Sequence, residues 1–330
     1  QSGSLQSDFN GKLYVTVYDK EISLRTKAND PTSYTANYKL QKNIIYKGLV
    51  NVNSGKWSFS FIIPKDINYE FGKGKISLYA SDEKSKDAAG YEDRLIIGGV
   101  SNDSIKDDKA PLVKVFMNNG DFVNGGICNP NPVLYSQISD DFGINISGNS
   151  IGHDLTAVID QNTQAPIILN QVYKSKLNNP KEGELNYPLK NLSPGKHTVS
   201  ITAWDISNNP GTGSLEFYVI DESDIRVDRV YNYPNPFSFE TEFQFETNLI
   251  ANEMEIIIQI QSVSGKLVKT INKIISNNGY RVGGIKWDGK DDFGSDLANG
   301  VYLYRLSLNA KTGNEIIHNR SSYQKLVLLK

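Results

Sequence analysis

MEIIIQIQS, residues 254–262, alternates with a period of two: Met254, Ile256, Ile258 and Ile260 form one apolar series. Such alternation marks a strand with one face in a core, because successive side chains of an extended chain point to opposite faces. The same period recurs upstream. In KLYVTVY (12–18) Leu13, Val15 and Val17 alternate with Tyr14, Thr16 and Tyr18. In KWSFSFII (56–63) Trp57, Phe59 and Phe61 oppose Ser58 and Ser60, and in KHTVSITAW (196–204) Val199, Ile201 and Ala203 oppose Thr198, Ser200 and Thr202. Repeated half-buried strands predict antiparallel sheets. No segment longer than about two turns carries a 3.6-residue period.

Two breaks divide the 330 residues. GGVSNDSIKDDKAP (98–111) is Gly-rich, then charged, and closes on Pro111; DESDI (221–225) is short and acidic. Both read as linkers between cores. The fold expected is all-β: three consecutive β-sandwiches over 1–106, 107–222 and 223–330, the last two immunoglobulin-like. The start, Gln1-Ser2-Gly3-Ser4, lacks the charged and apolar regions of a signal peptide and reads as the edge of a fragment.

Composition removes several function classes. Lys+Arg 35 against Asp+Glu 37 provides no basic excess for counterion release, so nucleic acid is not an expected partner. No apolar run reaches the length of a membrane helix. A single cysteine excludes an internal disulfide framework and a multi-thiolate zinc site. The aromatic residues, Tyr 18, Phe 13 and Trp 3, fit a strand-rich chain, since aromatic side chains favour pleated surfaces.

Few residues are candidates for chemistry. Cys128, with His153 or His197 as base, would be a cysteine nucleophile, but GGICNP (125–130) is a turn-rich approach to a strand with nothing to lower a thiol pKa. The expectation is an inert thiol and no catalytic residue. His153 and Asp154 are neighbours and so face opposite ways on an extended chain. A loop histidine bonded to backbone is expected, with His197 and His318 on the surface. Asp288, Asp291 and Asp292 in KWDGKDDFG offer oxygen ligands for calcium but lack the spacing of an EF-hand loop. The favoured reading is a turn, and no cofactor is expected, with calcium the one candidate. Asp140, Asp141 and Asp205 are read in the same way, with calcium at an interdomain junction as the competing possibility. QKLVLLK (324–330) is apolar on both faces. A strand of that kind is central in a sheet or covered by a partner, and Tyr323, Lys325, Leu326, Val327, Leu328, Leu329 and Lys330 form the candidate partner-binding set.

Longer motifs carry resemblances. SDDFGIN (139–145) and AWDISNNPGTGSLEFYV (203–219) resemble bacterial immunoglobulin-like domains. VYNYPNPFSFETEFQFE (230–246), VSGKLVKTI (263–271), IKWDGKDDFGSDLANGVYLYRL (285–306) and KLVLLK (325–330) follow the order of the C-terminal domain of proteins handled by the type IX secretion system of Bacteroidetes. The stretch from Trp287-Asp288-Gly289 to Asn299-Gly300-Val301-Tyr302 also resembles the immunoglobulin-like domain of flagellar hook-capping proteins. With DFNGKLYVTVYDK (8–20), YKGLVNVNSGKWSFSFIIPKDINY (46–69), GKGKISLYA (72–80) and GGICNPNPVLYSQISDDFGINISGNSIGHDLTAVID (125–160), nearly the whole chain resembles the non-catalytic C-terminal part of type IX sortases of the gingipain-like cysteine peptidase family.

That resemblance implies a place on the outer surface of the outer membrane and a catalytic Cys and His in an upstream domain. It implies cargo proteins whose C-terminal signals are cleaved, attachment of that cargo to anionic lipopolysaccharide, and docking of the last domain on the outer-membrane β-barrel shuttle protein PorV. The alternative is an adhesin or carbohydrate-binding arm secreted by the same system.

Overall fold

The series at 254–262 lies within the strand Ala251–Ser262, and Met254, Ile256, Ile258 and Ile260 all point into a core, fully buried. In the computed structural model, which describes residues 5–101, 106–148, 152–220, 226–249, 251–277, 281–312 and 315–330, every regular element is a β-strand. The chain is all-β. The expected linker at 221–225 lies outside the described residues, as do 1–4, 102–105 and 149–151. Among the described residues no helix is long and apolar enough to cross a membrane.

The chain forms two compact units. One comprises Gln1–Val115, Tyr135–Tyr187 and Thr198–Ser214; the other comprises Phe116–Leu134, Pro188–His197 and Leu215–Lys330. The segment 107–222 thus contributes to both.

In the first unit the strands Ile44–Val52, Gly11–Tyr18, Lys75–Ser81 and Asp87–Glu92 form an antiparallel sheet in that order. Leu13, Val15 and Val17 are buried, as their alternation requires, and lie opposite Val50, Gly48 and Tyr46. Gly48 is necessary there because the Tyr46 ring folds over it, and a Cβ would stand 2.2 Å from the Tyr46 hydroxyl oxygen. Tyr46 in turn stacks on Phe61 at 4.6 Å and on Phe59 at 5.7 Å.

The stretch 56–63 keeps its alternation but is not a strand. After the turn at Ser54 and Gly55 its backbone leaves Ile44–Val52. The edge it would pair with is occupied: Leu49 bridges Leu177 in parallel, Asn178 N–H donates to Leu49 O (2.8 Å), and Asn51 N–H donates to Asn178 Oδ1 (2.9 Å). The aromatic face therefore packs without a ladder. Further along this unit, Thr156–Ile159 pairs antiparallel with the strand Gly195–Asp205, whose Val199, Ile201 and Ala203 are buried as expected.

In the second unit, residues 226–330 make a two-sheet sandwich. Val227–Tyr233, Thr241–Thr247 and Arg281–Trp287 form one sheet. Leu267–Asn277, Ala251–Ser262 and Gly300–Thr312 form the other, with Glu315–Arg320 and Gln324–Leu328 pairing along different parts of Gly300–Thr312. Phe243 and Phe245 from the first sheet meet Ile256, Ile258, Tyr304, Leu306, Leu326 and Leu328 from the second. The hairpin turn between Ala251–Ser262 and Leu267–Asn277 runs through Gly265 at φ 86°, a left-handed conformation that glycine adopts without a Cβ clash.

Candidate functional site

The strand Gln324–Leu328 splits the candidate partner-binding residues between two jobs. It pairs antiparallel with Gly300–Tyr304, and its register sets Leu326 opposite Tyr302 and Val327 opposite Val301. Leu326 and Leu328 are 0% exposed and belong to the core. The outward series is Tyr323, Lys325, Val327 and Leu329, with Tyr323 47% and Leu329 51% exposed and Val327 half-buried. The Arg305 guanidinium lies over the Tyr323 ring at 4.9 Å.

The second edge of this strand is closed by the YPNPF stretch. Asn235 Nδ2 donates to Lys325 O (3.0 Å), and Val327 N–H donates to Asn235 Oδ1 (2.9 Å). Phe237 N–H donates to Val327 O (3.1 Å), and Leu329 N–H donates to Phe237 O (2.9 Å). The bonds Tyr233-Pro234 and Asn235-Pro236 are both cis. Asn232 Nδ2 donates to Thr241 Oγ1 (2.9 Å) and Thr241 Oγ1 donates to Pro234 O (2.8 Å), which seats the loop on its own sheet. Lys330 is held by Asn299, which exchanges side-chain bonds with its backbone, and by an ion pair with Asp296. Asn235 is the contributor that pattern reading missed: YPNP was legible as a motif, but its contact with the last strand was not.

A second grouping sits in the first unit. Carboxylate oxygens of Asp107, Asp140 and Asp205 lie within 4.8 Å of one another, the one such convergence of His, Cys, Asp and Glu among the described residues. Each of the three comes from a different turn. Asp140 Oδ1 accepts the N–H groups of Phe142 and Gly143, and Asp205 Oδ1 accepts those of Ser207 and Asn209. Asp205 is fully buried, and burial, with Asp107 beside it, raises its carboxyl pKa against the lowering effect of Asn209 and Ser207. At an effective dielectric of about 20, two carboxylates at that separation repel by roughly 3–4 kcal/mol. Asp141 is not part of the group; it pairs with Lys109 Nζ at 2.8 Å. Asp107 had no signal of its own beyond standing in an acidic linker.

Beside this turn, Asp66 is buried and accepts from three side chains: Asn145 Nδ2 (2.9 Å), Asn208 Nδ2 (2.7 Å) and His153 Nδ1 (2.6 Å). The His153 ring also lies tilted against Trp204, centroid to centroid 4.1 Å. It was expected to bond backbone, but it bonds a buried carboxylate far away in sequence.

Cys128 is 1% exposed and burial pushes its thiol up to about 12, so it supplies no thiolate at neutral pH. His197 is buried, contrary to its expected surface place, because its Nε2 bonds Ser193 O (2.7 Å) and its ring stacks on Phe217. His318 is exposed, with Nδ1 on Asn309 Oδ1. Asp288, Asp291 and Asp292 accept from separate backbone N–H groups, those of Lys290, of Phe293 and Ser295, and of Thr270.

The chain is similar to PorU of Porphyromonas gingivalis. It is 28% identical to the dimeric latent PorU structure over 99% of this chain, with a TM-score of 0.37. It spans 30% of that chain's length. SGBP-B of the Bacteroides ovatus mixed-linkage glucan utilization locus, solved with a mixed-linkage heptasaccharide, is 11% identical over 100% of this chain and 67% of its own, at TM-score 0.28. A tetra-tandem repeat from the extending region of a large adhesion protein is 13% identical over 96% of this chain and 66% of its own, at TM-score 0.22. No protein-family model matches the chain, and no curated protein does.

Proposed function

We propose that this chain is the non-catalytic C-terminal scaffold and docking part of a cell-surface type IX sortase. It positions an upstream cysteine peptidase domain on an outer-membrane β-barrel, PorV, where cargo signals are cleaved and cargo is joined to anionic lipopolysaccharide. The observation that carries this reading is the ordered motif set of residues 230–330, whose two ends meet in one place: YPNPF closes the edge of the QKLVLLK strand. A motif order that builds a single local structure is harder to meet by chance than any one motif. Cys128, a buried thiol with its pKa raised, fits a region without its own nucleophile.

Docking then falls to side chains rather than to strand addition, because both edges of Gln324–Leu328 are bonded within the chain. The test is binding of the purified chain to detergent-solubilised PorV. Val327→Asp combined with Leu329→Asp changes the outward face and leaves Leu326 and Leu328 in place. The expected result is at least a tenfold loss of affinity at unchanged secondary structure. Wild-type affinity in that variant would remove the docking assignment. Deleting Lys325–Lys330 is a poor test, since it also removes two core leucines.

A further inference from the structure

We propose that residues 57–63 of the first unit are an open strand edge that takes an extended peptide segment of a partner protein by main-chain pairing, with an acidic side chain of that peptide at Lys56. No main-chain N–H or C=O from 57 to 63 bonds another group among the described residues. Yet the stretch WSFSFII is rich in the aromatic and β-branched types that fill sheets. It also lacks the guards that keep natural edges unpaired, since it holds no proline and no charge. One face fixes it in place. Phe59 and Phe61 pack on the core of Leu13, Val15 and Val50 and stack on Tyr46, while Ser58, Ser60, Ile62 and Ile63 are exposed. Water serves this main chain in the free protein, and a second strand would replace that water without breaking any bond within the chain.

A groove beside this stretch gives a strand room. It has two parts of about 290 and 390 Å³ that share Val50, Ser58 and Asn178. Residues 57–60 line it together with Asn178 and Pro180. Asn178 does not compete for the edge: its N–H is given to Leu49 O (2.8 Å) and its Oδ1 to Asn51 N–H (2.9 Å). The occupant follows from the unpaired groups. Main-chain N–H and C=O repeat along an extended segment at about 3.3 Å per residue, a spacing that another extended main chain matches and the hydroxyls of a saccharide do not. Lys56 is the one charged side chain lining the groove and makes no ion pair among the described residues, so a carboxylate suits that end. Because the aromatic face already holds the edge, ordering on binding falls mainly on the peptide.

The experiment is fluorescence anisotropy of a labelled acetyl-EVTVTVTE-amide peptide titrated with the full chain, with amide exchange of the protein read alongside. Saturable binding with Kd below about 1 mM is expected, and at about ten times Kd alternate amides between 57 and 63 should exchange about tenfold more slowly. Two analogues, N-methylated at the valines or at the threonines, keep every side chain. One of the two should bind at least about tenfold more weakly, because alternate N–H groups of a strand face opposite edges. Lys56→Glu should reverse the preference for this peptide over its KVTVTVTK counterpart. Absence of saturable binding up to about 1 mM, binding of both analogues equal to the parent peptide, or binding without slowed exchange at 57–63 would overturn the pairing. Tryptophan quenching by cellohexaose that is lost in Trp57→Phe, with no peptide bound, would overturn it in favour of a saccharide groove. An unchanged charge preference in Lys56→Glu would overturn the placement of the acidic side chain.

Discussion

Asn235→Ala tests whether the YPNP motif exists to hold the last strand. The side chain makes two hydrogen bonds to that strand, one donated to Lys325 O and one accepted from Val327 N–H. Both bonds are exposed, so each falls toward the low end of the usual net value, about 0.5–1 kcal/mol. The pair is worth about 1–2 kcal/mol, with the freed groups hydrated by water and not left buried. The Phe237 bonds to Val327 O and from Leu329 N–H remain in place, so the strand stays attached but opens more often. Urea unfolding of wild type and variant reads the stability loss. Amide exchange reads its location: protection at Val327 should fall about 5–30-fold, the equilibrium equivalent of that energy. Asn235→Asp retains the acceptor for Val327 N–H and loses the donor to Lys325 O. It should restore protection at Val327 while stability stays below wild type. Unchanged midpoint and unchanged Val327 exchange in Asn235→Ala would refute the idea that Asn235 secures this edge.

Leu328→Ala, at a fully buried position, should cost about 2–5 kcal/mol in denaturant unfolding, whereas Leu329→Ala on the outward face should stay within about 0.5 kcal/mol. Cys128 adds an alkaline pH dependence of definite sign. Its thiol ordinarily loses its proton near 9.0 but keeps it to about 12 when folded, so between those values the folded state binds more protons than the unfolded one. Stability should therefore fall as pH rises above about 9, by up to about 1.4 kcal/mol per unit, and Cys128→Ala should flatten that slope in melts across pH 8–11. Asp66→Asn leaves His153, Asn145 and Asn208 without a carboxylate; a loss of about 2–4 kcal/mol in unfolding free energy is expected, since three bonds to one buried charge are involved.

Periodicity exposed the cores well. The series Leu13, Val15, Val17; Val199, Ile201, Ala203; and Met254, Ile256, Ile258, Ile260 all point inward, because a strand's face is decided by its nearest neighbours in sequence. What periodicity could not show is who sits on a strand's edge. Residues 57–61 alternate in sequence yet form no ladder, since the edge of Ile44–Val52 is taken by Leu177 and Asn178, more than a hundred residues away. The same limit hid Asp66 as the acceptor for His153, Asp107 as the third carboxylate beside Asp140 and Asp205, and Asn235 as the cover of the last strand. Each is a polar contact between segments distant in sequence, and pattern within a window carries no trace of it. The buried His197 is a milder case: its neighbours Lys196 and Thr198 are polar, and only the ring of Phe217 explains its burial.

The alternation of the last strand also constrains how docking can work. Tyr323, Lys325, Val327 and Leu329 span four side chains over roughly 20 Å at about 3.3 Å per residue, too narrow a stripe for the roughly 800 Å² per partner of a stable interface. A partner that binds here must also cover the next strand. Val301 lies directly opposite Val327, Leu303 opposite Lys325, and Arg305 holds the Tyr323 ring from the same face. The docking reading therefore extends from QKLVLLK to GVYLYRL, the two motifs that define the end of the module. Val301→Asp, in a different strand from Val327→Asp, should weaken PorV binding to a similar degree without touching the core leucines. If Val301→Asp binds as wild type while Val327→Asp does not, the contact is confined to the final strand, and an interface of standard size on this face is ruled out.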